Sequence, residues 1–301
     1  MATATIHVPA TTANLGAGFD CIGAALSLYN KFTFSEIDAP NLVIAVRGLE
    51  AAKVDTGTSN LAYQAFLKLY QQVDRTPPVI QLEIELGVPL ARGLGSSATA
   101  IVGGLLGANI IAGSPLSAAE VMQLAIEMEG HPDNVVPALI GGCRLAATAA
   151  SGWAIADIPW HSSIAVVVAI PDFELSTEAA RSVLPAEYSR ADAIFNTAHL
   201  GLLIRGLETG NGDWLTAALT DRIHQPYRQK LISGYSDVER AVIAAGGYGM
   251  VISGAGPTLL ALGTKERALG IAAAMSDAWK GHQIEVIAEV LELDLQGACE
   301  L

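Results

Sequence analysis

The pattern of apolar and polar residues predicts strands in both halves of the chain. Residues 79–86 alternate strictly, and residues 26–34 place their leucines and phenylalanines on one face, as half-buried strands do. The short apolar run 42–46 is predicted to pair with the strand before it. The other predicted strands are 6–8, 143–147, 153–158, 164–170, 249–253, 258–262 and 283–290.

Helical spacing of apolar residues appears between these strands. Residues 60–72 show it clearly, and Ser117 is predicted to cap a helix that ends near residue 128. Residues 130–143 are rich in glycine and proline and predict turns. The other predicted helices are one that ends near residue 112 and those at 177–184, 191–208, 213–219, 237–245 and 265–279.

Strand clusters mixed with helix pairs, without a regular βαβ repeat, predict an α+β fold. The length of 301 residues suits one large domain or two of about 150 residues. The pattern favours a boundary near residue 160. We therefore predict an N-terminal domain of residues 1–160 and a C-terminal domain of residues 161–301.

Composition and charge exclude several classes of protein. Hydrophobic residues make up 51% of the chain, which excludes a disordered protein. Acidic residues outnumber basic ones by 30 to 17, and a net charge of −13 repels DNA or RNA, so no nucleic-acid partner is expected. Three cysteines without a CxxC pair suit a reducing cytoplasm. Because the first residues lack the basic and apolar regions of a secretory signal, we expect a cytoplasmic protein.

Two uncharged stretches, residues 93–119 and 241–264, are long enough to cross a membrane. Six glycines and several hydroxyl and amide side chains interrupt the first stretch, and its most apolar part is short. Glycines and a proline also break the second stretch. We therefore expect no membrane span and no membrane partner.

The sharpest local feature is the glycine-rich loop, residues 89–99, between a predicted strand and a helix. Gly93 and Gly95 allow a tight turn and a close approach to a ligand. The helix that follows presents unpaired N–H groups and the positive end of its dipole, which favours an anion. Ser96 and Ser97 add hydroxyl groups. The alternative is a plain strand-to-helix turn with serine caps, and the lysine of a Walker loop is absent.

Three other segments carry polar groups among apolar residues. The opening loop, residues 9–20, contains Asn14 and Asp20, and its alternative interpretation is an Asx turn. The acidic segment, residues 127–134, contains Glu127, His131 and Asn134. The second glycine turn, residues 252–260, lies between two predicted strands and is otherwise a simple hairpin.

The acidic segment is predicted to aim Glu127 into a site beside His131 and Asn134. A hard cation such as Mg²⁺ takes one or two carboxylates plus substrate phosphates. A solvated helix end is the alternative, although acids there oppose the helix dipole. The remaining histidines lack metal-ligand spacing and are interpreted as surface or core residues: His7, His161, His199, His224 and His282.

Together these motifs resemble the superfamily of galactokinase, homoserine kinase, mevalonate kinase and phosphomevalonate kinase. PATTANLGAGFD, GLGSSAT and ISGAGPTLLAL stand in the family order. The opening loop, EGHPDNVVPALIGG, STEAARSVLP and DRIHQPYRQKLI are typical of the homoserine kinases in particular. The resemblance spans nearly the whole chain.

The resemblance implies two α+β halves with ATP and substrate in the cleft between them. It implies phosphorylation of the L-homoserine side-chain hydroxyl by ATP with Mg²⁺, a step toward threonine. Ser97 and Glu127 are the implied Mg²⁺ ligands, with Glu129 as the competing carboxylate. The implied ATP-binding residues are Pro89, Leu90, Ala91, Arg92, Gly93, Leu94, Gly95, Ser96, Ser97, Ala98 and Thr99, with Asn60 and Thr177 on the nucleotide side.

The resemblance also implies the homoserine site. Asn14 and Asp20 suit the ammonium and hydroxyl end of homoserine, and Arg181 and Arg228 suit its carboxylate because a guanidinium binds a carboxylate through two hydrogen bonds. His131 and Asn134 are placed near the substrate.

The implied catalytic residues are Asn134, Ser97 and Glu127. Our hypothesis is that Asn134 orients the hydroxyl while phosphate oxygens take its proton, without a general base. Family habit suggests a homodimer. The alternatives are another small-molecule kinase of the superfamily and a non-catalytic nucleotide or amino-acid sensor.

Overall fold

Two β-sheets organise the chain in the computed structural model, which describes residues 1–150 and 152–301. The strands are β1 (Thr3–Ala13), β2 (Ile22–Glu36), β3 (Val43–Gly48), β4 (Ile80–Leu86), β5 (Cys143–Ala149), β6 (Gly152–Ile158), β7 (Ile164–Pro171), β8 (Gly249–Ile252), β9 (Leu259–Thr264), β10 (Val286–Leu291) and β11 (Cys299–Glu300). The first sheet has the order β11-β1-β2-β4-β3, and β5 and β6 continue it from β2. The second sheet has the order β10-β7-β9-β8.

Ten α-helices in the described residues cover these sheets. They are α1 (Leu61–Gln72), α2 (Ser96–Ile111), α3 (Ala118–Glu129), α4 (Pro132–Ile140), α5 (Thr177–Ser182), α6 (Arg190–Thr209), α7 (Gly212–Ala218), α8 (Gln225–Arg228), α9 (Tyr235–Ala244) and α10 (Ala268–Lys280). Helices α2 and α4 pack on the first sheet, α1 packs against α2, α3 packs against α2 and α4, and α9 and α10 pack on the second sheet. The predicted α+β class is confirmed.

Strand β7 shows how one continuous apolar run serves two cores. Val166 and Val168 pack between the two sheets, together with residues of β2, α6 and α7. Ala165 and Val167 face the opposite way and pack against α9 and α10. Successive side chains of a strand point to opposite faces, so a strand covered on both sides needs no polar position.

The small residues of α2 explain the first uncharged stretch. A Cβ on Gly103 or Gly107 would lie 2.5 Å or 2.3 Å from the ring of Phe32 or Phe34 of β2. On Gly104 it would lie 2.2 Å from the carbonyl oxygen of Ala62 in α1. The helix is therefore a buried packing element. Within residues 1–150 and 152–301, each helix is too short or too polar to cross a membrane.

Two predictions about local structure are wrong. Residues 132–140 form α4 instead of turns, because Pro132 occupies the first helical position, where a missing N–H costs nothing. Pro137 leaves the carbonyl of Asp133 without its helical partner, and Gly23 of β2 packs directly against that oxygen. Strand β3 pairs in parallel with β4 and not with β2, since β4 lies between them and α1 supplies the crossover.

The C-terminal residues depart from the predicted division at residue 160. Cys299 of β11 pairs with His7 of β1, so the chain returns to the first sheet after completing the second. The Tyr29 hydroxyl donates to Asp294 at 2.9 Å, which fixes the returning segment. The ends of the chain therefore lie together in the first half.

We predict that Gly104→Ala destabilises the protein by about 1–3 kcal/mol, because a methyl group there meets a backbone oxygen that cannot move aside. Gly270→Ala is the matched control, since Gly270 lies in α10 with no neighbouring atom near the added methyl group. Alanine is the better helix former, so that variant should gain about 0.5–1 kcal/mol. Denaturant unfolding measures both values, and equal stability of the two variants would contradict the packing argument.

Candidate active site

A cleft of about 550 Å³ opens where the glycine-rich loop, the opening loop and the second glycine turn meet. Its lining comes from both halves of the chain. Of the predicted residues it contains Asn14, Asp20, Ala91, Arg92, Gly93, Gly95, Ser96, Ser97, His131, Asn134, Thr177, Arg181 and Arg228. Residues that lie more than 200 positions apart in sequence thus share one site.

Hydrogen bonds tie the three segments together. The amide of Thr11 donates to Leu94 O at 3.1 Å, which joins the opening loop to the glycine-rich loop. The Ser253 hydroxyl donates to Gly93 O at 2.7 Å, and the Gly254 amide donates to the opening loop. Backbone groups of both halves therefore satisfy one another at the base of the cleft.

Glycine is required at two positions of this junction. Gly93 and Gly95 have φ values of 77° and 69°, in the left-handed region. A Cβ on Gly95 would lie 2.0 Å from the Thr11 hydroxyl, and one on Gly93 would lie 2.3 Å from Ser253 O. The loop can therefore lie against both neighbours only with glycine at these two positions.

The N-terminus of α2 lies at one end of the cleft. The first amide bonded within this helix is Thr99, which donates to Gly95 O at 2.9 Å. The amides of Ser96, Ser97 and Ala98 precede it and have no helical acceptor. Together with the helix dipole they can receive phosphate oxygens.

Several predicted ATP-binding side chains face away from the cleft. Leu94, Ala98 and Thr99 are buried in the core, and the Thr99 hydroxyl accepts from Asn30 and donates to Ser96 O. Only their backbone can meet a phosphate. Pro89 is absent from the lining of this cleft and lies on the opposite side of the loop, against residues near β10.

Arg92 lines the cleft, but protein groups engage its guanidinium in structural hydrogen bonds. Its guanidinium donates to the carbonyls of Leu90, Pro171 and Asp172 at 2.9–3.0 Å and approaches Glu50 at 3.4 Å. Only 7% of the side chain is exposed. Arg92 therefore braces the glycine-rich loop against the end of β7.

Glu129, and not Glu127, is the carboxylate in the cleft. The Ser97 hydroxyl donates to Glu129 Oε2 at 2.9 Å. Glu127 is exposed on another face of α3, where it accepts from Gln123 at 2.8 Å. Helical periodicity contains the signal for this choice, because Glu129 follows the buried Ala125 by four residues. Burial raises the pKa of Glu129, although the charge of His131 and the Ser97 hydroxyl counteract this effect.

Asn14 and Asp20 occupy the far end of the cleft. Asn14 donates to Gly254 O at 2.8 Å and accepts from the amide of Asp20 at 2.9 Å, so it holds the opening loop against the second glycine turn. Asp20 binds the Arg181 guanidinium through two hydrogen bonds of 2.8 and 3.0 Å. Both side chains of this pair are about one-third exposed and face the cleft.

Arg228 is the second arginine of the site and is only 2% exposed. Its Nε donates to Ala180 O at 3.1 Å and its Nη1 donates to Gly254 O at 3.0 Å. Its Nη2 has no hydrogen-bond partner among the described residues, and the side chain lines the cleft. One end of the guanidinium is therefore fixed and the other is available to a ligand.

His131, Asp133 and Asn134 stand at the start of α4, between the two ends of the cleft. His131 Nδ1 lies 2.5 Å from Asp133 Oδ1, and Asn134 Oδ1 accepts from the Thr11 hydroxyl at 2.8 Å. Burial lowers the pKa of His131, but the hydrogen bond to Asp133 and the nearby carboxylates outweigh burial and raise it above its ordinary value. Thr11 has no distinguishing sequence signal, and the prediction missed it.

A second cavity of about 280 Å³ adjoins the first at Ser96 and Ser97. Asn60 lines this cavity, but its side chain caps α1 by accepting from Ala62 and Tyr63 and donates to Asp55 O. Thr177 lies across the main cleft at the start of α5. Within the described residues no three His, Cys, Asp or Glu side chains cluster as a metal site.

Comparison with known proteins agrees with this architecture. The family model described as "GHMP kinases N terminal domain" matches residues 60–142, and "GHMP kinases C terminal" matches residues 203–281. The homoserine kinase of Trichormus variabilis is 66% identical over 99% of both chains, and that of Nostoc sp. is 65% identical over 99% of both chains.

Solved structures show the same fold. The crystal structure of homoserine kinase from Cytophaga hutchinsonii superposes with a TM-score of 0.90 at 27% identity, over 99% of this chain and 97% of the other. A crystal structure of mevalonate kinase has a TM-score of 0.70 at 13% identity, over 97% of this chain and 99% of the other, and shares the fold alone. The chain belongs to the homoserine kinase family of the GHMP kinases.

Proposed function

We propose that this chain transfers the γ-phosphoryl group of ATP to the side-chain hydroxyl of L-homoserine, with Mg²⁺, to give ADP and O-phospho-L-homoserine for threonine synthesis. The observation that carries the proposal is the arrangement of one cleft. Unpaired amides of Ser96 to Ala98 and the Ser97–Glu129 pair lie at one end, and Asp20, Arg181 and Arg228 lie at the other. In this proposal the first end binds the phosphates and the other end binds the amino acid.

The Ser97 hydroxyl and the Glu129 carboxylate fit a Mg²⁺ site. Mg²⁺ keeps few protein ligands and is completed by water and phosphate oxygens, which agrees with one carboxylate beside a phosphate site. When bound, Mg²⁺ neutralises charge on the phosphate oxygens. Burial raises the pKa of Glu129 because it disfavours the charged carboxylate. A cation bound there would stabilise the charged form.

The far end of the cleft matches a zwitterionic amino acid. Asp20 can bind the ammonium group, and Arg181 with Nη2 of Arg228 can bind the carboxylate. Asp20 and Arg181 pair with each other and neutralise each other's charge. A zwitterion that separates them supplies a partner of opposite sign to each, so no charge is left unpaired.

Positioning and charge neutralisation account for the chemistry without a general base. Asn134 stands between the two ends of the cleft, and its amide cannot take a proton at neutral pH. Asp133 is already hydrogen-bonded to His131. A loose phosphoryl-transfer transition state needs an oriented hydroxyl more than a strong base. We propose that Asn134 orients the homoserine hydroxyl and that the proton of this hydroxyl goes to a phosphate oxygen.

The cytoplasmic location and the homodimer stay predictions.

We expect the purified chain to release ADP with L-homoserine as the acceptor, in the presence of ATP and Mg²⁺. A coupled ADP assay with L-homoserine, mevalonate and shikimate in parallel measures the preference. Faster turnover of mevalonate or shikimate would favour another kinase of the superfamily. ATP binding without turnover of any acceptor would favour a sensor.

Glu129→Gln should lower kcat by about 100-fold, because it removes the carboxylate that holds the cation at the phosphates. Glu127→Gln is the matched control from the same helix and should leave both kcat and the Mg²⁺ requirement unchanged. Initial rates over a Mg²⁺ titration compare the two variants. A larger loss in Glu127→Gln would restore Glu127 as the ligand.

Asn134→Ala should reduce kcat by about 100-fold with a smaller change in KM for homoserine, because the hydroxyl loses its orientation. Steady-state kinetics of Asn134→Ala, Asp133→Ala and Asp20→Ala give the comparison. Full turnover in Asn134→Ala, with a loss in Asp133→Ala or Asp20→Ala beyond that due to binding, would instead support acid–base catalysis.

A further inference from the structure

His224 is a buried histidine beside the substrate end of the cleft. We predicted an ordinary surface or core histidine at this position, although it lies within the segment DRIHQPYRQKLI. Its side chain is completely buried at the start of α8, four residues before Arg228, and it does not line the cleft. A buried imidazole needs a partner for each nitrogen, and both partners belong to segments that build the site.

The two partners determine which nitrogen of His224 carries the proton. Arg228 Nη1 lies 3.4 Å from His224 Nδ1, and a guanidinium can only donate. Nδ1 therefore accepts, and Nε2–H donates to Gly16 O of the opening loop at 3.0 Å. Burial lowers the pKa of His224 to about 4, although the Asp221 carboxylate acts in the opposite direction. The ring is thus neutral, as an acceptor at Nδ1 requires.

Only Nη2 of the Arg228 guanidinium has no hydrogen-bond partner among the described residues. Ala180 O takes the Nε hydrogen, and Gly254 O and His224 take the two hydrogens of Nη1. A guanidinium is planar, so fixing three of its five hydrogens also fixes the direction of Nη2.

Phe19 completes the contact between His224 and the site. Its ring stacks on the imidazole with centroids 5.1 Å apart, and the Arg228 guanidinium carbon lies 5.1 Å from the same ring. Phe19 directly precedes Asp20, the other charged group at this end of the cleft. His224 therefore contacts both sides of the substrate end without touching the cleft itself.

We propose that His224 is a positioning residue that sets the direction of the Arg228 guanidinium, and through it the affinity for the substrate carboxylate. The inference rests on the proposed function, in which Arg228 binds that carboxylate. It assigns the histidine a place in substrate recognition and not in phosphoryl transfer. Its loss should therefore raise KM for homoserine and leave KM for ATP unchanged.

Two substitutions separate the hydrogen bonds of His224. In His224→Asn the side-chain oxygen can occupy the place of Nδ1 and accept from Arg228. In His224→Gln the longer amide can donate to Gly16 O but offers no acceptor at Nδ1. We expect His224→Gln to raise KM for homoserine about 10-fold, the scale of one hydrogen bond to a charged group. His224→Asn should stay near the wild-type value.

A double-mutant cycle tests whether His224 acts through Arg228. Arg228→Met alone should raise KM for homoserine, and adding His224→Gln should raise it no further. Thermal unfolding and KM for ATP check that each variant is folded. Equal KM values for wild type, His224→Asn and His224→Gln, or additive effects in the double variant, would overturn the inference. Absence of homoserine turnover in the wild type would instead refute the proposed function.

Discussion

The site depends on the hydrogen-bonded junction of the opening loop, the glycine-rich loop and the second glycine turn. Each segment presents backbone N–H and C=O groups that would be unsatisfied if it folded alone, and each satisfies the others. The junction also decides the course of the backbone: Gly93 and Gly95 are glycines because Ser253 O and the Thr11 hydroxyl occupy the space of a side chain. The two sheets are thereby joined where the cleft forms.

The groups at this junction attract an anion, whereas the net charge of the whole molecule repels one. A chain with a net charge of −13 repels ATP at a distance. In the proposed function, the amides and dipole of α2 and a cation at Ser97 and Glu129 supply the binding instead. Arg92 adds no free charge to this site, because its guanidinium donates to the carbonyl groups of Pro171 and Asp172 and stabilises the loop.

Short-range patterns predicted most of the strands and helices, and most of the predicted site residues line the cleft. Strand β4 and helix α1 follow directly from their spacing, since one face of each is buried. Residues 132–140 were predicted to form turns and instead form α4, because the content of glycine and proline does not reveal that Pro132 starts a helix. The pairing of β3 with β2 was predicted from their adjacency in sequence. In the sheet, β4, which follows α1 in the chain, lies between these two strands.

The sequence by itself determined the family, the glycine-rich loop and the polar residues gathered at the cleft, because these depend on residue types in a fixed order. Only the tertiary structure decided which side chains face the cleft. It selected Glu129 over Glu127, turned Arg92 inward and placed His224 behind Arg228. These choices depend on helix rotation and on partners up to two hundred residues away, and a one-dimensional pattern contains neither.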